Sequence, residues 1–141
     1  MIIYNALKVK IPKFPRRAFS NCIKSVAEKF KKRVGDISYI FCDDDKILEI
    51  NKEYLSHDYY TDVITFDYST KDIISGDIFI SIDTIKTNKE KYKVPFDQEL
   101  YRVMIHGILH LCGMQDKTNT EKTIMKEAEN QALIKIYKLF S

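Results

Sequence analysis

The sequence predicts an α+β domain: one mixed sheet of about four strands packed with about five helices, and a histidine pair on a central apolar helix. Three observations predict it. Stretches rich in β-branched and aromatic residues are spaced along the chain, and segments of helical periodicity lie between them. Only 4 Gly and 3 Pro occur in 141 residues, with no repeat, low-complexity tract or linker, so the elements are tightly connected. That length fits one domain over residues 1–141 and leaves little room for two.

The elements follow in order. Met1 to Lys10 reads as a strand with apolar residues on both faces. Pro15 to Arg33 reads as a helix, because Phe19, Ile23, Val26, Ala27 and Phe30 recur at helical spacing and Gly35 follows as a stop. Ile37 to Cys42 is a strand. Asp43-Asp44-Asp45 then opens a short helix through Tyr54, and the acidic triplet reads as a cap and turn rather than a cation site. Asp62 to Tyr68 and Asp77 to Ile82 are the next strands, joined by a polar loop that ends at Gly76. Thr84 to Tyr92 is helical. A strong helix runs from about Asp97 to Cys112, closed by Gly113. Thr118 and Glu121 form a T-x-x-E capping box for a last helix that buries Ile124, Met125, Ala128, Leu133 and Ile136.

Composition narrows the function classes. Residues are 45% hydrophobic, with 9 Tyr and 8 Phe, enough for a real core. No run approaches the roughly 18–20 apolar residues of a membrane span, and the N-terminus lacks the pattern of a signal peptide. No membrane partner and a cytoplasmic location are therefore expected. Cys22, Cys42 and Cys112 are odd in number and lack C-x-x-C spacing, which fits free buried thiols. Net charge is only +3. Locally, Lys8, Lys10, Lys13, Arg16 and Arg17 cluster, followed by Lys31, Lys32 and Arg33. This basic third is either a phosphate-tracking surface or a solvated face.

The chemistry concentrates in His106-Gly-Ile-Leu-His110-Leu-Cys-Gly113-Met-Gln-Asp116. Residues four apart share a helix face, so two imidazoles can converge on one ion. The surrounding helix is nearly all apolar, and buried imidazoles need partners for their ring nitrogens. Either hydrogen bonds or a metal supply them. Gly113 lets the chain turn back, which would bring the Asp116 carboxylate to the pair and give a hydrolytic donor set with an open position. Gly107 stands where H-E-x-x-H peptidases carry glutamate, which disfavours that class. Cys112 points roughly 200° away from His110 around the helix, toward the core. Glu99 and Arg102 share the face of His106 and either line the site or are solvated. His57 is the remaining histidine, either an alternative third ligand or a substrate contact. Ser56-His57-Asp58 is too contiguous for a nucleophilic triad. Asp62 and Asp77 read as capping or supporting groups.

This segment is similar to the H-G-x-L-H-L-x-G-x-D-H signature of the YbeY endoribonuclease family. Asn51-Lys-Glu-Tyr54 followed by Thr61-Asp62-Val63-Ile64-Thr65-Phe66 resembles the family's N-x-x-Y-R and T-D-V-L-S-F stretch, and Ser75-Gly76-Asp77-Ile78 resembles its G-D-I strand start. The resemblance covers about residues 40 to 116. It implies a single-strand-specific, metal-dependent endoribonuclease acting in rRNA maturation and ribosome quality control, with single-stranded RNA, rRNA and the ribosome or its small subunit as partners. It implies one zinc ion held at the positions of His106, His110 and Asp116, with the two histidines central to catalysis. The donor set also suits Fe²⁺ or Mn²⁺.

Two positions depart from the pattern. Asp116 stands for the family's third histidine, so a divalent ion would leave the site one unit less positive and its bound water less acidified. Leu55 stands for an arginine, so phosphate contact falls to Lys52, His57 or another base, with Arg16 and Arg17 as further candidates. Tyr54, Tyr59, Tyr60 and Tyr68 offer stacking surfaces or packing. Two other readings stay open: a non-catalytic, RNA-binding ribosome-maturation factor with a structural metal, and a metal hydrolase of another substrate such as an amide.

Overall fold

A computed structural model describes residues 1–54 and 63–140. The elements are β1 (Ile2–Ala6), α1 (Arg16–Lys29), β2 (Arg33–Cys42), α2 (Asp44–Tyr54), β3 (Val63–Asp67), β4 (Ile73–Ser81), α3 (Ile82–Tyr92), α4 (Phe96–Leu111) and α5 (Asn119–Phe140). The strands form one mixed sheet in the order β1-β2-β4-β3. β1, β2 and β4 are parallel, and β3 runs antiparallel to β4. The α+β expectation of four strands and five helices is met.

Strand periodicity divides the burial between two faces. Ile37, Tyr39 and Phe41 of β2 and Ile74, Ile78 and Ile80 of β4 point into the main core beneath α1, α4 and α5. Cys42 of β2 and Ile64 of β3 point the other way and pack with Ile47 and Ile50 of α2. Helix α4 is buried along most of its length, from Glu99 through Leu111. Gly107 brings it close to the sheet: a Cβ at that position would stand 2.9 Å from Cγ2 of Ile78. Tyr39 ties the same helix down by donating its hydroxyl to the Met104 carbonyl at 2.8 Å.

The ends of several elements differ from the sequence reading. β1 stops at Ala6 rather than Lys10: Leu7 donates the last ladder bond, to Phe41, and Lys8 then takes a left-handed φ of 60°. α1 stops at Lys29 rather than Arg33. Lys31 N–H bonds to the Glu28 carbonyl and Lys32 N–H to the Ala27 carbonyl, a Schellman closure with Lys31 at φ 60°. Gly35 is therefore not the helix stop. It lies inside β2, where the register with β4 shifts between Val34 and Ile37. β4 likewise starts at Ile73, so Gly76 is within the strand and pairs with Asp67.

The acidic triplet does act as a cap and turn. Asp43 Oδ1 accepts from the Lys46 N–H at 2.9 Å. Asp44 Oδ1 accepts from the hydroxyls of Ser81 (2.5 Å) and Thr84 (2.6 Å), which locks the start of α2 to the start of α3. The capping box of α5 is also present: Glu121 N–H donates to Thr118 Oγ1 at 3.1 Å, and Thr118 N–H donates to Glu121 Oε1 at 2.9 Å.

Lys31 holds a conformation that costs a non-glycine residue about 1–2 kcal/mol, whereas glycine adds about 0.4–1 kcal/mol of unfolded-state entropy. Lys31→Gly is therefore expected to stabilise the fold by about 0.5–1 kcal/mol, read as a higher urea midpoint at unchanged m-value.

Candidate metal centre

The site is made where α4 ends. Helix α4 closes with a second Schellman motif: Gly113 N–H bonds to the His110 carbonyl and Met114 N–H to the Leu109 carbonyl, both at 3.0 Å. Gly113 has φ 103°, a region that side-chain-bearing residues rarely enter. This reversal sends the next residues back along the helix. The Met114 carbonyl then lies 3.0 Å from His110 Nδ1, and Asp116 Oδ2 lies 3.1 Å from His106 Nε2 and 3.5 Å from His110 Nε2. The two Nε2 atoms are 2.9 Å apart.

The partners of the outer ring nitrogens fix the tautomer of each neutral ring. A carbonyl only accepts, so His110 Nδ1 carries the proton and donates it to Met114. His106 Nδ1 lies 2.7 Å from the Glu129 carboxylate and donates to it. In its neutral form each ring then points an Nε2 lone pair inward, beside a carboxylate oxygen. Lone pairs this close repel unless a proton or a metal ion lies among them. Burial first, and His106 second, hold the His110 pKa below its ordinary 6.5 against the opposing pull of Asp116. That disfavours the proton.

The donor set fits a metal ion. His106, His110 and Asp116 each offer one ligand atom, and all three atoms lie within 4.8 Å of one another. For metal–ligand bonds of roughly 2.0–2.1 Å, the edge of a tetrahedron is about 3.3 Å. The observed separations of 2.9, 3.1 and 3.5 Å bracket that value.

A support lies behind the donors. Glu129 on α5 is 7% exposed and holds two partners at once. Its Oε2 takes His106 Nδ1, and its Oε1 takes a 2.8 Å bond from the Arg102 guanidinium. Arg102 also donates to Asn130 Oδ1 at 2.6 Å. A carboxylate behind a ligating imidazole fixes its tautomer and raises its basicity.

Sequence reading missed Glu129. Of the residues it expected α5 to bury, Met125, Leu133 and Ile136 are buried and Ala128 packs partly buried against the core, whereas Ile124 is 54% exposed; Glu129 and Ala132 complete the inward face. One position of that inward face thus holds a carboxylate, which Arg102 and His106 satisfy. The signal was there: Glu129 stands four residues after Met125 and seven before Ile136, in step with apolar neighbours.

The other named residues fall as follows. Arg102 orients the site through Glu129. Glu99, 4% exposed, accepts from Asn88 Nδ2 at 3.2 Å. Cys112 is buried in the main core, and its thiol is pushed up to about 11 by burial, so it does not join the donors. Asp77 accepts from the Tyr68 hydroxyl at 3.3 Å. Tyr54 and Tyr68 are largely exposed, and Tyr54 sets its ring edge-on to Phe66. Arg16 and Arg17 are exposed at the start of α1, and Lys52 is exposed on α2. None of these three lines the cavity of about 550 Å³ that His106 and Asp116 border. Leu55, Ser56, His57, Asp58, Tyr59, Tyr60, Thr61 and Asp62 lie outside the described residues. No described helix is long and apolar enough to cross a membrane.

With its folded-state pKa lowered, His110 binds fewer protons than in the unfolded chain, so it contributes stability above about pH 6.5 that is lost as pH falls below it. In chelator-treated protein, the urea midpoint should drop more steeply between pH 7 and 5 for wild type than for His110→Gln. Parallel profiles would refute the assignment.

Comparison with known proteins agrees with the fold and its order of elements. Residues 3–137 match the family described as Endoribonuclease YbeY. The Endoribonuclease YbeY of Phocaeicola vulgatus is 57% identical over 133 residues, covering 94% of this chain and 96% of that protein. The one from Bacteroides thetaiotaomicron is 56% identical over 132 residues, covering 94% and 96%. A solution structure from Thermotoga maritima superposes with a TM-score of 0.68 over 99% of this chain and 91% of that one, at 23% identity, which bears on the fold. With a match across nearly its whole length and relatives above half identity, the chain belongs to the YbeY endoribonuclease family.

Proposed function

We propose that this protein is a metal-dependent endoribonuclease that cuts single-stranded RNA during rRNA maturation and ribosome quality control, in contact with the ribosome or its small subunit in the cytoplasm. One observation carries the reading: two imidazole lone pairs and a carboxylate oxygen meet within 3.5 Å, each histidine already spending its other nitrogen on a fixed acceptor. Family membership supports RNA as the substrate, since the relatives are named as endoribonucleases.

In this reading His106, His110 and Asp116 hold one divalent ion, with zinc favoured and Fe²⁺ or Mn²⁺ compatible with the same donors. When bound, the ion supplies Lewis acidity toward a phosphoryl oxygen and lowers the pKa of water. The chain supplies the rest. Met114 and Glu129 keep both rings in the tautomer that presents Nε2. Arg102 holds the Glu129 carboxylate in place at 2.8 Å. Asp116 adds an anion where the family pattern has an imidazole, which leaves the site less positive and makes water activation less strong. Lys52, His57, Arg16 and Arg17 serve as substrate contacts, the arginines meeting the strand away from the cavity that borders His106.

A second reading is kept because Leu55 replaces an arginine of the family pattern: an RNA-binding ribosome-maturation factor in which the metal is structural.

Two experiments test the proposal. Wild-type protein should cut a single-stranded oligoribonucleotide, lose that activity on chelation, and lose about 100-fold or more in His106→Ala and His110→Ala. Undiminished cleavage by the double variant would sink the catalytic role of the pair, and metal-replete protein that binds ribosomal subunits without cutting RNA would favour the second reading. Separately, Glu129→Gln should weaken retention of a divalent ion by about 10- to 100-fold in competition with a chromogenic chelator. Wild-type retention in that variant would remove Glu129 from the site.

A further inference from the structure

The cavity that His106 and Asp116 border extends well beyond them. Its volume of about 550 Å³ lies within the range of about 300–1,000 Å³ typical of small-ligand sites. It lies between the end of α3, the first half of α4 and the first half of α5, and its walls differ in chemistry. One side is apolar, formed by Val94, Val103 and Met125. Tyr92, a residue 56% exposed, stands at the rim. The inner end holds Glu99, whose carboxylate accepts from Asn88, so acceptors and an amide face the interior together. On the outer rim stand Lys122 and Lys126, one helical turn apart on α5. Both are exposed, and neither ammonium has a hydrogen bond or ion pair among the described residues.

A cavity lined by apolar side chains, a tyrosine, a carboxylate–amide pair and two lysines without an ion pair among the described residues suits one nucleotide. A base stacks on aromatic and apolar surface and presents hydrogen-bonding edges, while its phosphate seeks cations. Two of the proposed metal donors, His106 and Asp116, line the same cavity, where the next phosphate of a strand would pass. We propose that this cavity is a single-nucleotide pocket of the RNA-binding site: Tyr92 and Met125 flank the base, Glu99 and Asn88 meet its edge, and Lys122 and Lys126 hold its phosphate. The pocket deepens the endoribonuclease reading and rests on it for the identity of the polymer.

The test uses the full chain with the surface variants Lys122→Gln/Lys126→Gln and Tyr92→Ala. Lys24→Gln/Lys71→Gln, at two exposed lysines outside the cavity, is the matched charge control. Affinity for a fluorescent hexaribonucleotide is measured by anisotropy, together with KM and kcat. The lysine pair variant should bind about tenfold more weakly with KM raised about tenfold, and its salt slope should fall by about 0.7 per lost phosphate contact. Tyr92→Ala should lose roughly fivefold or more. The kcat and the divalent-ion content should stay within twofold, and the charge control should bind as wild type. Cavity variants that bind RNA no worse than the charge control overturn the proposal.

A second measurement separates this pocket from the activity. In chelator-treated protein, nucleoside 5′-monophosphates should give saturable NMR shifts at Tyr92 and Met125, lost in the lysine pair variant. Such shifts in a protein that never cuts RNA would refute the endoribonuclease reading and keep the pocket. No saturable shift would refute the pocket whatever the activity.

Discussion

The structure depends on one constraint: α4 must lie flat against the sheet while carrying two imidazoles at its end. Gly107 over Ile78 sets the distance, and Tyr39 anchors the backbone at Met104. Helices α1, α3 and α5 pack around the same element. Its two histidines are only partly exposed, 21% and 27%, so their outer nitrogens are satisfied by protein groups. Met114 and Glu129 meet the outer nitrogens, and the inner ones converge on Asp116. Packing and chemistry are thus the same requirement seen from two sides of the helix.

The centre combines local and distant parts. His106, His110 and Asp116 lie within eleven residues, and their geometry follows from helical pitch and one glycine reversal. Glu129 arrives from another helix, and its own charge is tolerable in the core because Arg102 faces it. A buried carboxylate between a guanidinium and an imidazole is costly to leave half-paired. The arrangement therefore couples the docking of α5 to the orientation of a ring on α4.

This division explains what was legible in the sequence. The class, the sheet with its helices, the caps at Asp43 and Thr118, and the donor cluster all follow from short-range rules: periodicity, turn chemistry and i, i+4 spacing. What the sequence hid was set by contacts distant along the chain. Gly35 looked like a helix stop, yet the left-handed position fell to Lys31 once β2 began pairing at Arg33. Ile124 looked like core and is exposed, while Glu129 looked solvated and is buried under His106. Strand ends moved for the same reason, since pairing partners fix them and propensity does not. Asp116 was legible as a position through Gly113, whereas the partner behind His106 required the tertiary fold.

The order of these residues along the chain has a temporal consequence. All three donors are synthesised before any of α5 beyond its cap, but the carboxylate that fixes His106 comes thirteen residues after Asp116. A growing chain can gather the donors early, around an imidazole still free to choose its tautomer. Only when the last helix settles against α4 is that choice removed, so maturation of the centre is timed by completion of the fold.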